Sequence, residues 1–152
     1  MTPECAVPFA RELEAKQNKL RLKKFKQNDK SELMKTAQRE FNKYIRLRDK
    51  DKPCISCSHT GDRQRHASHY RPVGRNSKHR FNEMNVHSAC SICNAHLSGN
   101  LIPYREAMIK MYGIKMVEEL ESDNEPHRYT VGELKDIINK YRKKIKDIES
   151  EL

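Results

Sequence analysis

The sequence predicts an α+β protein in which a cysteine-stapled segment of short strands and turns lies between helices. Three observations predict it. Two C-x-x-C pairs, Cys54-Ile-Ser-Cys57 and Cys90-Ser-Ile-Cys93, bracket 32 residues. Gly61, Pro72, Gly74 and Asn76 punctuate the stretch between them as turns do. Before and after it, apolar residues recur at spacings of three and four, as on one face of a helix.

The elements follow in order. Residues 1–30 form a basic extension carrying Lys16, Lys19, Arg21, Lys23, Lys24 and Lys26. Leu13, Leu20, Leu22 and Phe25 make a poor apolar stripe, so a charged, exposed helix is expected from about Arg11. Pro3 and Pro8 should keep the start irregular. A break is expected near Asn28-Asp29-Lys30. Ser31 reads as the N-cap of the next helix. Leu33, Met34, Ala37, Phe41, Tyr44, Ile45 and Leu47 supply its apolar face, and it should end near Arg48, before Asp49-Lys50-Asp51-Lys52-Pro53. Arg65 to Arg71 reads as a strand, and Asn85 to Cys90 leads into the second cysteine hook and a short helix. Pro103 suits the first turn of a helix whose stripe is Ala107, Met108, Met111, Ile114, Val117 and Leu120, with Gly113 its weak point. Asp123-Asn124-Glu125-Pro126 is a loop. Thr130 and Glu133 form a capping box for a last helix with Leu134, Ile137, Ile138, Tyr141, Ile145 and Ile148 on one side. Lys140, Arg142, Lys143, Lys144 and Lys146 charge its other side. The expected whole is a long helix before the core and two helices after it.

Composition narrows the function. Charged residues make up 34% of the 152, and the mean hydropathy is −0.99. The core must therefore be small, and a small core usually needs a staple. Four thiolates in two tight hooks suit one tetrahedral zinc ion, closed and structural. C-x-x-C hooks with no visible signal peptide read as metal binding in a reducing compartment. The net charge of +10 favours a polyanionic partner, nucleic acid or an anionic membrane surface. No apolar run is long enough to span a bilayer.

Within the stapled segment lie His66-Ala-Ser-His69-Tyr70, Asn85-Val-His87 and Asn94-Ala-His96. Phosphodiester cleavage needs a base beside a water, a metal on the phosphate oxygens and cations near the backbone. His69 is the candidate base, because imidazole titrates near neutrality. Asn85 is the candidate to hold its ring. Asn94, fixed by the adjoining Cys93, could offer its carbonyl oxygen to Mg²⁺ or a similar hard cation. Taken singly, each of these residues also fits an ordinary polar surface position. Their joint occurrence carries the catalytic reading.

The order Cys-x-x-Cys, strand with His, Asn, Cys-x-x-Cys-Asn resembles the HNH or ββα-metal nucleases, including the endonuclease VII-type phage resolvases. The resemblance is closer to the lambda-type NinG (Rap) family. It rests on Pro53–Cys57, His69-Tyr70-Arg71, Arg80–His87, Cys90–Asn100 and Pro103-Tyr104-Arg105, and covers roughly residues 31–150. It implies a zinc-stapled ββα-metal (HNH-like) core over 53–100 within a nuclease domain spanning 31–152. It further implies a bacteriophage recombination endonuclease of the host cytoplasm that cuts D-loops and Holliday junctions with Mg²⁺ or Mn²⁺, leaving 5′-phosphate and 3′-hydroxyl ends. His66 stands where the family has an Asp, so the second ligand of the catalytic metal, beside Asn94, is an imidazole. Imidazole is a poorer ligand for Mg²⁺ than for Mn²⁺, Zn²⁺ or Ni²⁺. Thr2-Pro3-Glu4-Cys5 resembles the tail of an N-terminal zinc finger whose other cysteines are absent, so Cys5 is a relic of it or a free thiol.

His87 and His96 could contact the scissile phosphate or complete the metal site; each could instead cap a turn near the zinc. His59, His79 and His127 read as surface residues. Arg71, Arg75, Lys78 and Arg80 should hold phosphates beside the cleaved strand. The N-terminal run and the last helix could follow DNA arms, or be solvated faces. Two exposed basic helices could also pair two copies into a homodimer on a two-fold junction. The rival reading is a non-catalytic zinc module that binds DNA or a recombination partner. A membrane-surface protein ranks last, since it leaves the Cys/His/Asn cluster unexplained.

Overall fold

The computed structural model describes residues 3–26, 29–74 and 76–151. Among the described residues the chain is mostly helical, with one two-stranded antiparallel sheet. Helix α1 spans Pro3–Lys26 and α2 spans Lys30–Arg48. Strand β1, Arg65–His69, pairs with β2, Val86–Cys90. A single 3-10 turn, Ser77–His79, lies between the strands, and a π-turn, Ile92–His96, follows them. Three helices complete the chain: α3 Leu101–Tyr112, α4 Ile114–Ser122 and α5 Val131–Ser150.

Several sequence expectations are corrected. Helix α1 begins at Pro3 rather than near Arg11. Pro3, in the first turn, removes only an N–H that has no helical partner there, and the helix also continues through Pro8. Leu13, Leu20, Leu22 and Phe25 are all exposed, as their poor stripe implies. The N-cap of α2 is Asp29, not Ser31: its carboxylate accepts from the Glu32 N–H at 2.9 Å. The continuous helix expected after Pro103 breaks in two at Gly113, whose φ of +82° lies where a side chain would be strained. Thus three helices, not two, follow the sheet. Met111 and Ile114, expected on a common stripe, are exposed beside that break.

The first part of the core lies between α2 and α5. Leu33 and Ala37 cluster with Tyr129, Leu134 and Ile138. Phe41, Tyr44 and Ile45 cluster with Tyr141, Ile145 and Val86 of β2. The two helices therefore run side by side in the same direction. Thr130 starts α5 with the expected capping box, accepting from Glu133 N at 3.2 Å while Glu133 accepts from Thr130 N at 2.6 Å. A second core, Tyr70, Tyr104, Met108, Val117 and Leu120, joins α3 and α4 to the end of β1.

Both faces of the sheet are covered. Val86 and Ala67 face the α2–α5 core, while Ser68 and His87 meet Tyr104 of α3. The end of α2 is latched to β2. Arg48 donates to the Val86 carbonyl at 2.9 Å, and Asp49 accepts from Ser88 N at 3.1 Å. Burial opposes the Asp49 charge, but Arg48, Lys52 and the Ser88 N–H overcome it and hold its pKa below the usual carboxylate range. Among the described residues, no helix is long and apolar enough to cross a membrane.

Candidate functional site

The two hooks close on each other. The first is a turn after α2, in which Ser58 N donates to the Cys54 carbonyl at 2.9 Å and Ser58 adopts φ +55°. The second begins at the last residue of β2, so the strand pairing aims Cys90 at the first hook. The π-turn then carries Cys93 back, held by Gly99 N donating to its carbonyl at 2.8 Å. The sulfurs of Cys54, Cys57, Cys90 and Cys93 all lie within 4.8 Å of one another.

These sulfurs could hold a metal ion such as zinc. Zinc–sulfur bonds of about 2.3 Å set tetrahedral sulfurs about 3.8 Å apart. Cys57 Sγ and Cys90 Sγ are 3.8 Å apart. Cys90 N donates to Cys54 Sγ at 3.2 Å, and Asn100 Nδ2 to Cys93 Sγ at 3.5 Å, as suits sulfurs bearing negative charge. Burial opposes the Cys90 thiolate, but the Cys93 backbone N–H and the neighbouring thiols draw its pKa down to about 6. Burial pushes the Cys93 thiol up to about 12. Without a cation, the four sulfurs cannot all be ionised so close together.

A second convergence lies beside the hooks. Asn94 Nδ2 and His66 Nδ1 are 3.0 Å apart, joining the π-turn to β1. The two residues expected to ligate a catalytic cation are therefore neighbours in space. His69 lies elsewhere on β1. It pairs with Val86, and its ring sits 6.5 Å from the ring of Phe41 on α2. Its Nε2 is 3.0 Å from the Arg80 carbonyl. A carbonyl can only accept, so Nε2 carries the proton and Nδ1 keeps its lone pair. Burial disfavours the imidazolium, and the Arg80 charge adds to this, so the His69 pKa lies below its ordinary value.

His66 and His69 are three residues apart on one strand. They point to opposite faces of the sheet, about 10 Å apart along it. The structure brings Asn94 to His66 but does not bring His69 to that pair.

Asn85 does not hold the His69 ring. Its side chain is 0% exposed. Its Oδ1 accepts from Arg71 N at 2.7 Å, and its Nδ2 donates to the carbonyls of Arg71 and His79, each at 3.1 Å. It clamps the loop between the strands. That also explains why β1 stops at His69 and not at Arg71: the Asn85 side chain takes the backbone groups of Arg71 that a partner strand would use.

His87 is corrected as well. It is 4% exposed, and Tyr104 and Tyr112 engage both ring nitrogens, at 3.1 and 2.7 Å. Tyr104 donates to the Ser68 carbonyl at 2.8 Å, so it accepts from Nδ1–H, and Tyr112 donates to Nε2. Burial, helped by the Arg48 charge, draws the His87 pKa down to about 4. A neutral ring committed to two hydroxyls braces α3 on the sheet and is not available to a phosphate.

The basic loop is only partly free. Lys78 pairs with Asp123 at 2.8 Å and Glu125 at 3.0 Å. Arg71 donates to Asn76 at 2.9 Å and to Asn124, and Arg80 donates to Gln38 at 3.1 Å. His96 is exposed at the end of the π-turn. Arg75 and the Cys5 side chain lie outside the described residues. His79, read as a surface residue, is buried with Asn76 under this loop. Sequence reasoning gave no role to Tyr104, named only within the family motif, or to Tyr112. Their signal was the four-residue recurrence of Tyr104, Met108 and Tyr112 along α3.

The comparisons bear on the same residues. The family model described as "Bacteriophage Lambda NinG protein" matches residues 8–151. "Protein ninG" of Salmonella phage P22 is 44% identical over 131 residues, which cover 86% of this chain and 64% of that protein. "Protein ninG" of Escherichia phage lambda is 42% identical over 133 residues, 88% of this chain and 65% of that protein. The chain thus spans just under two thirds of the length of these relatives. No solved structure matches it. With a family match running from near the start of α1 through α5 and taking in both cysteine hooks, the chain belongs to the bacteriophage lambda NinG family.

Proposed function

We propose that the protein is a divalent-metal-dependent DNA endonuclease of the HNH type, acting on branched recombination intermediates such as D-loops and Holliday junctions. The observation that carries this reading is the His69 ring, with Nε2–H committed to the Arg80 carbonyl and a lone pair left at Nδ1. A pKa below the ordinary value keeps that ring neutral at pH 7, the state a general base needs. His69 removes a proton from a water molecule. The resulting hydroxide attacks phosphorus, the P–O3′ bond breaks, and the leaving 3′ oxygen takes a proton from solvent, giving a 5′-phosphate and a 3′-hydroxyl. His66 and Asn94 would hold the catalytic cation, Mg²⁺ or Mn²⁺, and its chemistry is to offset charge on the phosphate oxygens. An imidazole in this pair favours Mn²⁺. The thiol cluster is the structural zinc site, fixing Asn94 through Cys93.

One observation favours a second reading, a non-catalytic zinc module that binds DNA. The strand register sends His69 and the His66–Asn94 pair to opposite faces of the sheet. Incubation with an end-labelled four-way junction in Mg²⁺ or Mn²⁺ separates the two readings. Cleavage that drops about 10²- to 10⁴-fold in His69→Ala, with binding retained, is the outcome expected of the nuclease. Binding with no cleavage in any divalent ion establishes the second reading.

A further inference from the structure

The cations read as phosphate contacts are held by another part of the chain. Lys78 Nζ meets Asp123 Oδ2 at 2.8 Å and Glu125 Oε2 at 3.0 Å. Arg71 donates to Asn124 Oδ1. All three partners lie in the loop between α4 and α5. That loop is fixed at each end. Upstream, Glu121 accepts from Arg105 at 2.7 and 3.0 Å and from the Tyr70 hydroxyl. Downstream, His127 N donates to Ser77 Oγ at 2.8 Å. Its acidic middle therefore rests on the basic loop, offering carboxylate oxygens where phosphate oxygens would go.

The arrangement is displaceable. The side chains of Lys78, Asp123 and Glu125 are 43%, 26% and 79% exposed; the Glu125 pair is weak for that reason, and the Asp123 carboxylate, shared with His79 Nε2 at 3.5 Å, is the firmer of the two. It also leaves the Arg71 Nε buried with no hydrogen-bond partner. If the acidic loop is displaced, a phosphate can reach the guanidinium and satisfy that donor.

We infer that Asp123, Asn124 and Glu125 compete with the DNA backbone for Lys78 and Arg71, and so act as a specificity filter against plain duplex. The inference rests on the DNA-binding part of the proposed function. A continuous duplex offers phosphates, and Lys78 must give up two carboxylates to gain one. A branched substrate makes contacts elsewhere on the protein, and these carry the exchange through.

The test uses the full chain with Asp123→Asn and Glu125→Gln together, read as binding of a labelled linear duplex and a labelled four-way junction across a salt series without divalent ions. Duplex affinity should rise about 3- to 10-fold, with the log–log salt slope steeper by about one. Junction affinity should rise less, so discrimination falls. In a Lys78→Ala background the gain should vanish. Unchanged affinity and slope overturn the inference, as does an equal gain on both DNAs. A gain that persists without Lys78 reflects net charge alone and also overturns it. If the wild-type chain binds neither DNA, the DNA-binding reading itself fails, an outcome distinct from unaltered binding.

Discussion

At the scale of single residues, two side chains that looked catalytic in the sequence are structural. Asn85 and His87 share a sequence neighbourhood with the proposed chemistry, yet both are buried with every polar atom engaged. For His87 this has a consequence in pH. The unfolded ring gains its proton near pH 6.5, whereas the folded ring stays neutral down to about 4. The folded pKa is the lower one, so stability is whole above pH 6.5 and is lost as pH falls toward 4. Between pH 7 and pH 5 the loss from this group is about 2 kcal/mol at most. Urea midpoints at the two pH values should show it, and His87→Gln, which keeps a donor and an acceptor but does not titrate, should flatten the difference. An unchanged pH dependence in the variant would remove His87 from the account.

At the scale of elements, local signals and tertiary contacts divide the work. The capping box at Thr130 was legible because its partners are three residues apart. At the start of α2 the sequence pointed to Ser31, but it is the Asp29 carboxylate that accepts the N-cap hydrogen bond. Asp29→Ala should cost about 1 kcal/mol of stability, since the Glu32 N–H loses its acceptor. Ser31→Ala should stay within about 0.5 kcal/mol, as at an exposed helical position. Equal losses in thermal melts would contradict the assignment. Gly113 shows the opposite case. A glycine inside an apolar stripe is compatible with a weak helix or a break, and its positive φ resolves the matter. The break turns α4 so that Val117 and Leu120 close on Tyr70 and Tyr104.

At the scale of the whole molecule, the α2–α5 core and the α3–α4 core lie on opposite faces of the sheet, and the second cysteine hook begins at the last residue of β2. A metal ion on the four sulfurs would bind the folded arrangement more tightly than the unfolded chain, adding the difference to stability. Stripping the ion with a chelator, followed by circular dichroism melts, should lower Tm by about 10 °C or more. Metal analysis should find one tightly held ion per chain, and Cys90→Ser should reproduce the loss. A melt unmoved by complete metal removal would leave the hooks without a structural role.

The sequence alone determined the features whose partners are close along the chain or repeat with a fixed period. The stripes of α2 and α5, the Thr130 cap, the turn-rich middle and the pairing of C-x-x-C hooks are of this kind. Helical period and metal-ligand spacing are local geometry. Which face of β1 each histidine takes, what fills the ring nitrogens of His87, and which carboxylates sit on Lys78 were decided by tertiary structure. Those partners come from residues 17 to 47 positions away, and no local pattern encodes which surface an independently folded helix or loop will meet.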